Sequence, residues 1–210
     1  MITLASRGFQ LPLKHPFTIS RGTVKVQDTF VVQLHEDGCF GYGEATANDF
    51  YGATVSRMAN ATERLRPLLT GASADSVDEL LAESARLIGA DSFALCAVDM
   101  ALHDLWARRR EVPLLAAWGL DANAGPLSNY TIGIDAIDVM VRKLAEVAEW
   151  PIFKIKLGTA DDLAIIRELR RHTDKPFRVD ANCGWTARQA IEFSELLADL
   201  EVEFIEQPLP

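Results

Sequence analysis

The segment FKIKLG (153–158) places Lys154 and Lys156 one residue apart inside an apolar stretch. Alternation along a strand would turn both ammonium groups to one face, and Phe153 and Ile155 to the other. Two acidic residues follow at similar places, Asp180 in RVDA (178–181) and Glu206 in FIEQ (204–207). Lys154, Asp180 and Glu206 succeed one another at intervals of 26 residues. Carboxylates arriving from successive strands are suitable oxygen ligands for a hard cation such as Mg2+. A lysine beside that dication and a second ammonium would have its charged form disfavoured. Its pKa would fall from ~10.4 towards neutrality, as a general base requires. The cation would also stabilise an enolate as a proton leaves the carbon beside a carboxylate. The spacing therefore points to abstraction of a carbon-bound proton, with one lysine moving it and the other tuning the first. Each residue taken singly has a blander reading: a solvated strand face, a helix cap, a turn carboxylate.

The flanking sequence contains the elements needed to position such a set. From Pro126 onward strands and helices alternate. LSNYTIGI (127–134), IFKIKL (152–157), FRVDA (177–181) and VEFIEQ (202–207) read as strands, with helices expected over 138–149, 161–172 and 186–199. A βα unit recurring at such an interval implies parallel strands. With no glycine-rich phosphate fingerprint after the first strand, a (β/α) barrel is favoured over a dinucleotide-binding sheet. Barrel enzymes place their chemistry at the carboxyl ends of the strands, where Lys156, Asp180 and Glu206 would lie. Ahead of DANAGP (121–126) the pattern differs. Strands are expected over 1–10 and 24–34, with a turn at 36–38 into CFGYGEA, giving an antiparallel sheet of about three strands. Helices follow over 54–69, 77–87 and 92–110, the last carrying Leu95, Val98, Leu102 and Leu105 at helical spacing. The fold class is thus α/β, the first half of a TIM-type barrel, preceded by an α+β capping domain. The boundaries are 1–122 and 123–210. A complete barrel takes ~250 residues, so the chain is expected to be the first portion of a longer protein.

The chain has 210 residues and a net charge of −9, spread along its length. That balance argues against nucleic acid or an anionic membrane as the main partner. The start lacks the pattern of a signal peptide, and no apolar run approaches the ~18 residues that span a bilayer. Cys39, Cys96 and Cys183 have no metal-type pair spacing and fit free thiols in a reducing cytoplasm.

NYTIGI, FKIKLG, RVDANCGW and EFIEQPLP, in this order and spacing, resemble the enolase superfamily. Within it they are similar to the muconate lactonizing enzyme subgroup, and most of all to dipeptide epimerases of the L-Ala-D/L-Glu type. The resemblance implies Mg2+-dependent epimerisation of dipeptides through an enolate. Lys156 would be the acid/base on one face of the substrate and Lys154 its electrostatic neighbour. Asp180 and Glu206 would be the first two Mg2+ ligands, with Asn182 supporting the metal site. Thr131 would contact the dipeptide. A loop from Lys14 to Val26 would close over it, offering Arg21 to its distal carboxylate. The segment 44–54 would form a second covering loop. The third metal ligand and the opposing lysine would lie beyond Pro210, so the 210 residues alone are expected to be inactive as an epimerase. A cytoplasmic enzyme is implied, with a small-molecule partner and compatible with a homo-oligomer. Alternatives are muconate cycloisomerase or o-succinylbenzoate synthase, a Schiff-base lysine enzyme, and an inactive truncated fragment or assembly partner. His103 is expected to serve helix packing, His15 to sit in the capping loop, and Cys183 to have no nucleophilic role.

Overall fold

The computed structural model describes residues 1–210, apart from the side chain of Ala122. Three strands open the chain: β1 (Thr3–Ile19), β2 (Gly22–Glu36) and β3 (Cys39–Thr46), in the order β1-β2-β3. β2 and β3 pair antiparallel around the Asp37–Gly38 turn, from Glu36↔Cys39 to Thr29↔Thr46. β1 runs well past the strand expected over 1–10, through Pro12 and Pro16. As an edge strand of its sheet it tolerates proline, which has no N–H for an inner ladder. The segment read as a loop over 14–26 is therefore largely strand, turning at Ser20 and Arg21.

Five helices come next: α1 (Val55–Arg64), α2 (Arg66–Leu69), α3 (Val77–Ile88), α4 (Ser92–Arg109) and α5 (Leu114–Ala117). The single helix expected over 54–69 is two, because Pro67 cannot supply the N–H that would carry one ladder across Leu65. α4 buries Ala94, Ala97, Val98, Ala101, Leu102 and Leu105, whereas Leu95 is only half-buried. The buried stripe is thus richer in alanine than the leucine spacing implied. A methyl group on Gly41 or Gly43 of β3 would collide with the α4 backbone, so small residues on both sides permit this approach.

Beyond α5, four strands alternate with three helices. They are β4 (Asn129–Ile132), α6 (Ile137–Ala145), β5 (Ile152–Lys156), α7 (Asp162–Arg170), β6 (Phe177–Asp180), α8 (Ala187–Asp199) and β7 (Val202–Glu206). The strands lie in sequential order, all parallel, as expected for the first part of a barrel.

The chain divides into two compact units. The first holds Met1–Pro12 and Val26–Gly125, and the second holds Leu13–Lys25 and Pro126–Pro210. The distal part of the β1–β2 hairpin is thus grouped with the parallel sheet. Each unit has its own core. In the first, Ile2, Phe30, Val32 and Leu34 pack with Met58, Leu65, Val98 and Leu102. In the second, Phe153, Ile155, Phe177 and Val179 pack with Met140, Ile165, Ile166 and Leu169. Burying each such side chain contributes about 1.5–3 kcal/mol, which holds β5 and β6 with their other faces turned to the lysines and Asp180. No helix among the described residues is long and apolar enough to cross a membrane.

Candidate active site

Strand parity and register bring the predicted residues together. Phe153 and Ile155 are fully buried in the core of the second unit, so Lys154 and Lys156 share the opposite face of β5. Lys156 pairs with Asp180 on β6, and Asp180 with Glu206 on β7. Lys154 stands opposite Arg178 and Thr131. The aligned row is therefore Lys156, Asp180 and Glu206, and the equal 26-residue interval counted from Lys154 is not a pairing. A register shift between Phe177 and Val179 on β6 leaves Asp180 aligned with Glu206.

The side chains close into one charged cluster. Lys156 Nζ donates to Asp180 Oδ2 at 2.6 Å. Lys154 Nζ donates to Glu206 Oε2 at 2.6 Å and lies 3.3 Å from the same Asp180 Oδ2. Asp180 is only 1% exposed, and its other oxygen accepts the backbone N–H of Asn182 at 2.8 Å. Burial opposes the ionised form of Asp180, but the hydrogen bonds from Lys156 and Asn182 and the nearby lysine charges outweigh it. Its pKa lies below the ordinary carboxylate range. Burial likewise opposes the charge on Lys154, yet the Glu206 hydrogen bond and the two carboxylates raise its pKa above the usual lysine value. The lowered lysine pKa expected from sequence presupposes a bound dication; with the carboxylates alone, Lys154 moves in the opposite direction.

The turn after β6 is strained where it meets this cluster. Asn182 and Cys183 have φ of 46° and 65°, a left-handed pair uncommon for residues other than glycine. The backbone N–H of Cys183 donates to Gln207 O at 2.7 Å, and that of Trp185 to Pro208 O at 2.9 Å, tying the turn to the segment after β7. The Asn182 carbonyl accepts both Ser20 Oγ (2.9 Å) and an Arg21 guanidinium N–H (2.8 Å) from the hairpin tip. From the same hairpin, the Phe17 ring centroid lies 5.9 Å from Lys156 Nζ. At its base Lys14 and His15 both hold Glu146, at 2.8 and 3.0 Å. Ser20, Phe17 and Glu146 were not singled out by sequence reasoning. The β-branched residues of TISRGTVKV (18–26) on both sides of Ser20–Gly22 were the available signal.

Among the other expected residues, Thr131 is half-buried on β4, beside Lys154. The segment 44–54 belongs to the first unit, where an Asn48↔Ala53 bridge closes a single 3-10 turn over Asp49–Tyr51. His103 bonds to Asp99 within α4 and packs its ring edgewise on Trp118, a structural role as expected. All three cysteines are free.

The donor set can be tested against a hard cation. Asp180 and Glu206 present two carboxylates from adjacent strands, and ammonium groups now balance their charge. Asn182 Oδ1 is buried and, among the described residues, has no hydrogen-bond partner, an oxygen kept near the site at some cost. Among the described residues, no group of three or more His, Cys, Asp or Glu side chains is arranged to hold a metal ion. The residues present thus fit part of a Mg2+ shell, since Mg2+ is commonly bound through one or two carboxylates while keeping several waters.

Comparison with known proteins agrees with this geometry. Residues 1–119 match the mandelate racemase/muconate lactonizing enzyme N-terminal domain, and residues 139–210 match the enolase C-terminal domain-like family. An L-Ala-D/L-amino acid epimerase of Flavobacterium johnsoniae is 43% identical over 206 residues, covering 98% of this chain and 61% of the relative. The crystal structure of a dipeptide epimerase from Cytophaga hutchinsonii, complexed with Mg and D-Ala-L-Val, superposes with a TM-score of 0.89 at 27% identity. That match covers 100% of this chain and 59% of the other. A muconate lactonizing enzyme from Pseudomonas fluorescens gives a TM-score of 0.90 at 22% identity over 99% of this chain and 60% of the other, a likeness of fold alone. The chain therefore spans about three-fifths of the length of these proteins. It belongs to the mandelate racemase/muconate lactonizing enzyme family of the enolase superfamily.

Proposed function

We propose that this chain supplies one half of the active site of a dipeptide epimerase, which removes and returns the proton on the carbon beside a carboxylate. The observation that carries the reading is the cluster of Lys156, Lys154, Asp180 and Glu206. Two ammonium groups and two carboxylates on three adjacent strands meet at Asp180 Oδ2 and Glu206 Oε2. The epimerase relatives support the choice of substrate class, being nearer in sequence than the muconate enzyme.

In this reading Lys156, as the neutral amine, takes the α-proton from one face of the dipeptide. The electron pair of the broken C–H bond passes into the adjacent carboxylate, giving an enolate. Protonation from the opposite face completes the 1,1-proton transfer. Lys154, held charged by Asp180 and Glu206, keeps a positive charge beside the reacting carbon. Asp180 and Glu206 would hold Mg2+, which supplies positive charge where the enolate builds up. Phe17 covers Lys156 with an apolar ring and limits access of water. Thr131 lies on the strand beside the lysines, where the dipeptide would rest. Arg21, one of whose N–H groups is given to the Asn182 carbonyl, would bring its positive charge to a distal carboxylate. The resemblance assigns the opposing base and a third carboxylate to residues outside these 210.

The test uses the whole protein with Mg2+ and L-Ala-L-Glu in D2O. Deuterium should enter at the α-carbon while the other epimer accumulates, and EDTA should stop both. Turnover of a muconate with no exchange into any dipeptide would overturn the proposal in favour of cycloisomerisation.

A further inference from the structure

Asp162, the first residue of α7, is a charged side chain only 1% exposed that the mechanism above does not use. Its oxygens are fully engaged. Oδ2 accepts the backbone N–H of Gly158 (2.9 Å) and the indole N–H of Trp185 (2.6 Å). Oδ1 accepts the backbone N–H of Thr159 (2.9 Å) and its hydroxyl (2.8 Å). Gly158 and Thr159 begin the loop after β5, two and three residues beyond Lys156. Trp185 lies in the loop after β6, five residues beyond Asp180. One carboxylate therefore joins the two loops that follow directly on the partners of the 2.6 Å Lys156–Asp180 contact.

The loops leave each other no slack. A methyl on Gly158 would lie 2.8 Å from the Ala181 carbonyl oxygen, and Gly158 itself has φ 108°. A methyl on Gly184 would lie 2.8 Å from the Gly158 Cα. Trp185 is held edge-on against Phe193 of α8, with ring centroids 5.2 Å apart, so its N–H has little freedom to seek another acceptor. The Asp162 oxygens meet four donors here, whereas an amide of the same shape would turn two hydrogens towards donors. Such a mismatch is costlier in a buried network than at a surface.

We infer that Asp162 is a positioning residue that sets Lys156 against Asp180 by tying the loops after β5 and β6 together. This inference rests on the reading of Lys156 as the acid/base only for its functional consequence; the geometric claim stands without it. The test compares two lysines that are equally buried, Lys156 and Lys143, each 8% exposed. Lys143 pairs with Asp135 at 3.0 Å in the same unit and touches neither loop. Ammonium hydrogen exchange is read by 15N NMR in the whole protein, unsubstituted and as Asp162→Asn. Exchange at Lys156 should accelerate by at least about tenfold while Lys143 is unchanged, reporting a local opening and not a global one. Should Asp162→Asn fail to fold, Trp185→Phe, which removes a single N–H from the network, decides by the same comparison. Equal acceleration at both lysines, or a lowered urea midpoint with Lys156 unchanged, would reduce Asp162 to a contributor to stability and overturn the inference. None of these readouts requires bound metal or turnover, so loss of the epimerase reading would leave the result interpretable.

Discussion

Each unit of the molecule buries a carboxylate among cations, and the two are held in different ways. In the first unit Glu36 is 2% exposed. It pairs with the Arg109 guanidinium at 3.0 Å and the Met1 ammonium at 3.3 Å, and it accepts the Ala74 N–H at 3.0 Å. Its partners come from the chain terminus, a helix end and a short turn, and they fasten those pieces to the end of β2. In the second unit Asp180 is held by two lysines on one neighbouring strand and by the next turn of its own chain. Nothing distant is fastened by it, and both lysines have long flexible stems that a ligand could redirect. A buried charge that joins remote segments is there for the fold. One surrounded by displaceable ammonium groups from adjacent strands is placed for exchange of partners. Asp162 lies between these cases, since it joins segments but joins the two that carry the site.

The contrast can be broken by substitution. Replacing Lys156 by Ala in the whole protein should lower epimerisation by about 10²–10⁴-fold, with the fold retained because Lys154 still partners Asp180. Glu36→Ala should act oppositely, costing about 1–3 kcal/mol through the buried Ala74 N–H it leaves unpaired, while Arg109 keeps Asp75 and Asp37 as partners. A urea titration measures that loss, which should appear in the first unit. Were Glu36→Ala harmless to stability, the division between fastening and functional carboxylates would fail.

A smaller effect sharpens the comparison at acid pH. The Lys143 hydrogen bond outweighs partial burial, and with the Ala136 N–H it holds the Asp135 carboxyl below its ordinary range. A carboxyl lowered in the folded state contributes stability above its unfolded pKa of ~3.9 and loses it as pH falls through the folded value. The second unit should therefore lose stability below about pH 4, and Asp135→Asn should flatten that part of its pH–stability curve. An unchanged acid limb in the variant would show that Asp135 and Lys143 contribute nothing there.

Much of this was legible in the sequence because strands impose a two-residue period. That period alone placed Lys154 and Lys156 on one face, and the recurring βα unit put Asp180 and Glu206 on the next two strands. It could not supply the register, which pairs Lys156 with Asp180 and leaves Lys154 opposite Arg178. The loop over 14–26 is what the resemblance implies, and the continuation of β1 through Pro12 and Pro16 becomes intelligible only once the sheet order makes it an edge strand. Asp162 falls near the start of the helix expected over 161–172, where an acid needs no explanation beyond the helix dipole. Its four donors come from a loop just before it and from Trp185, 23 residues on, and only the folded chain brings them together.

The central claim is that Lys156 handles the proton on one face of the substrate. It is tested most directly by α-proton exchange in D2O with the Lys156→Ala form of the whole protein, offered each epimer of a dipeptide separately. A base on each face predicts that one epimer loses its exchange while the other still exchanges from the opposite side. Exchange of both epimers at the unsubstituted rate would contradict the account, because Lys156 would then take no part in breaking the C–H bond.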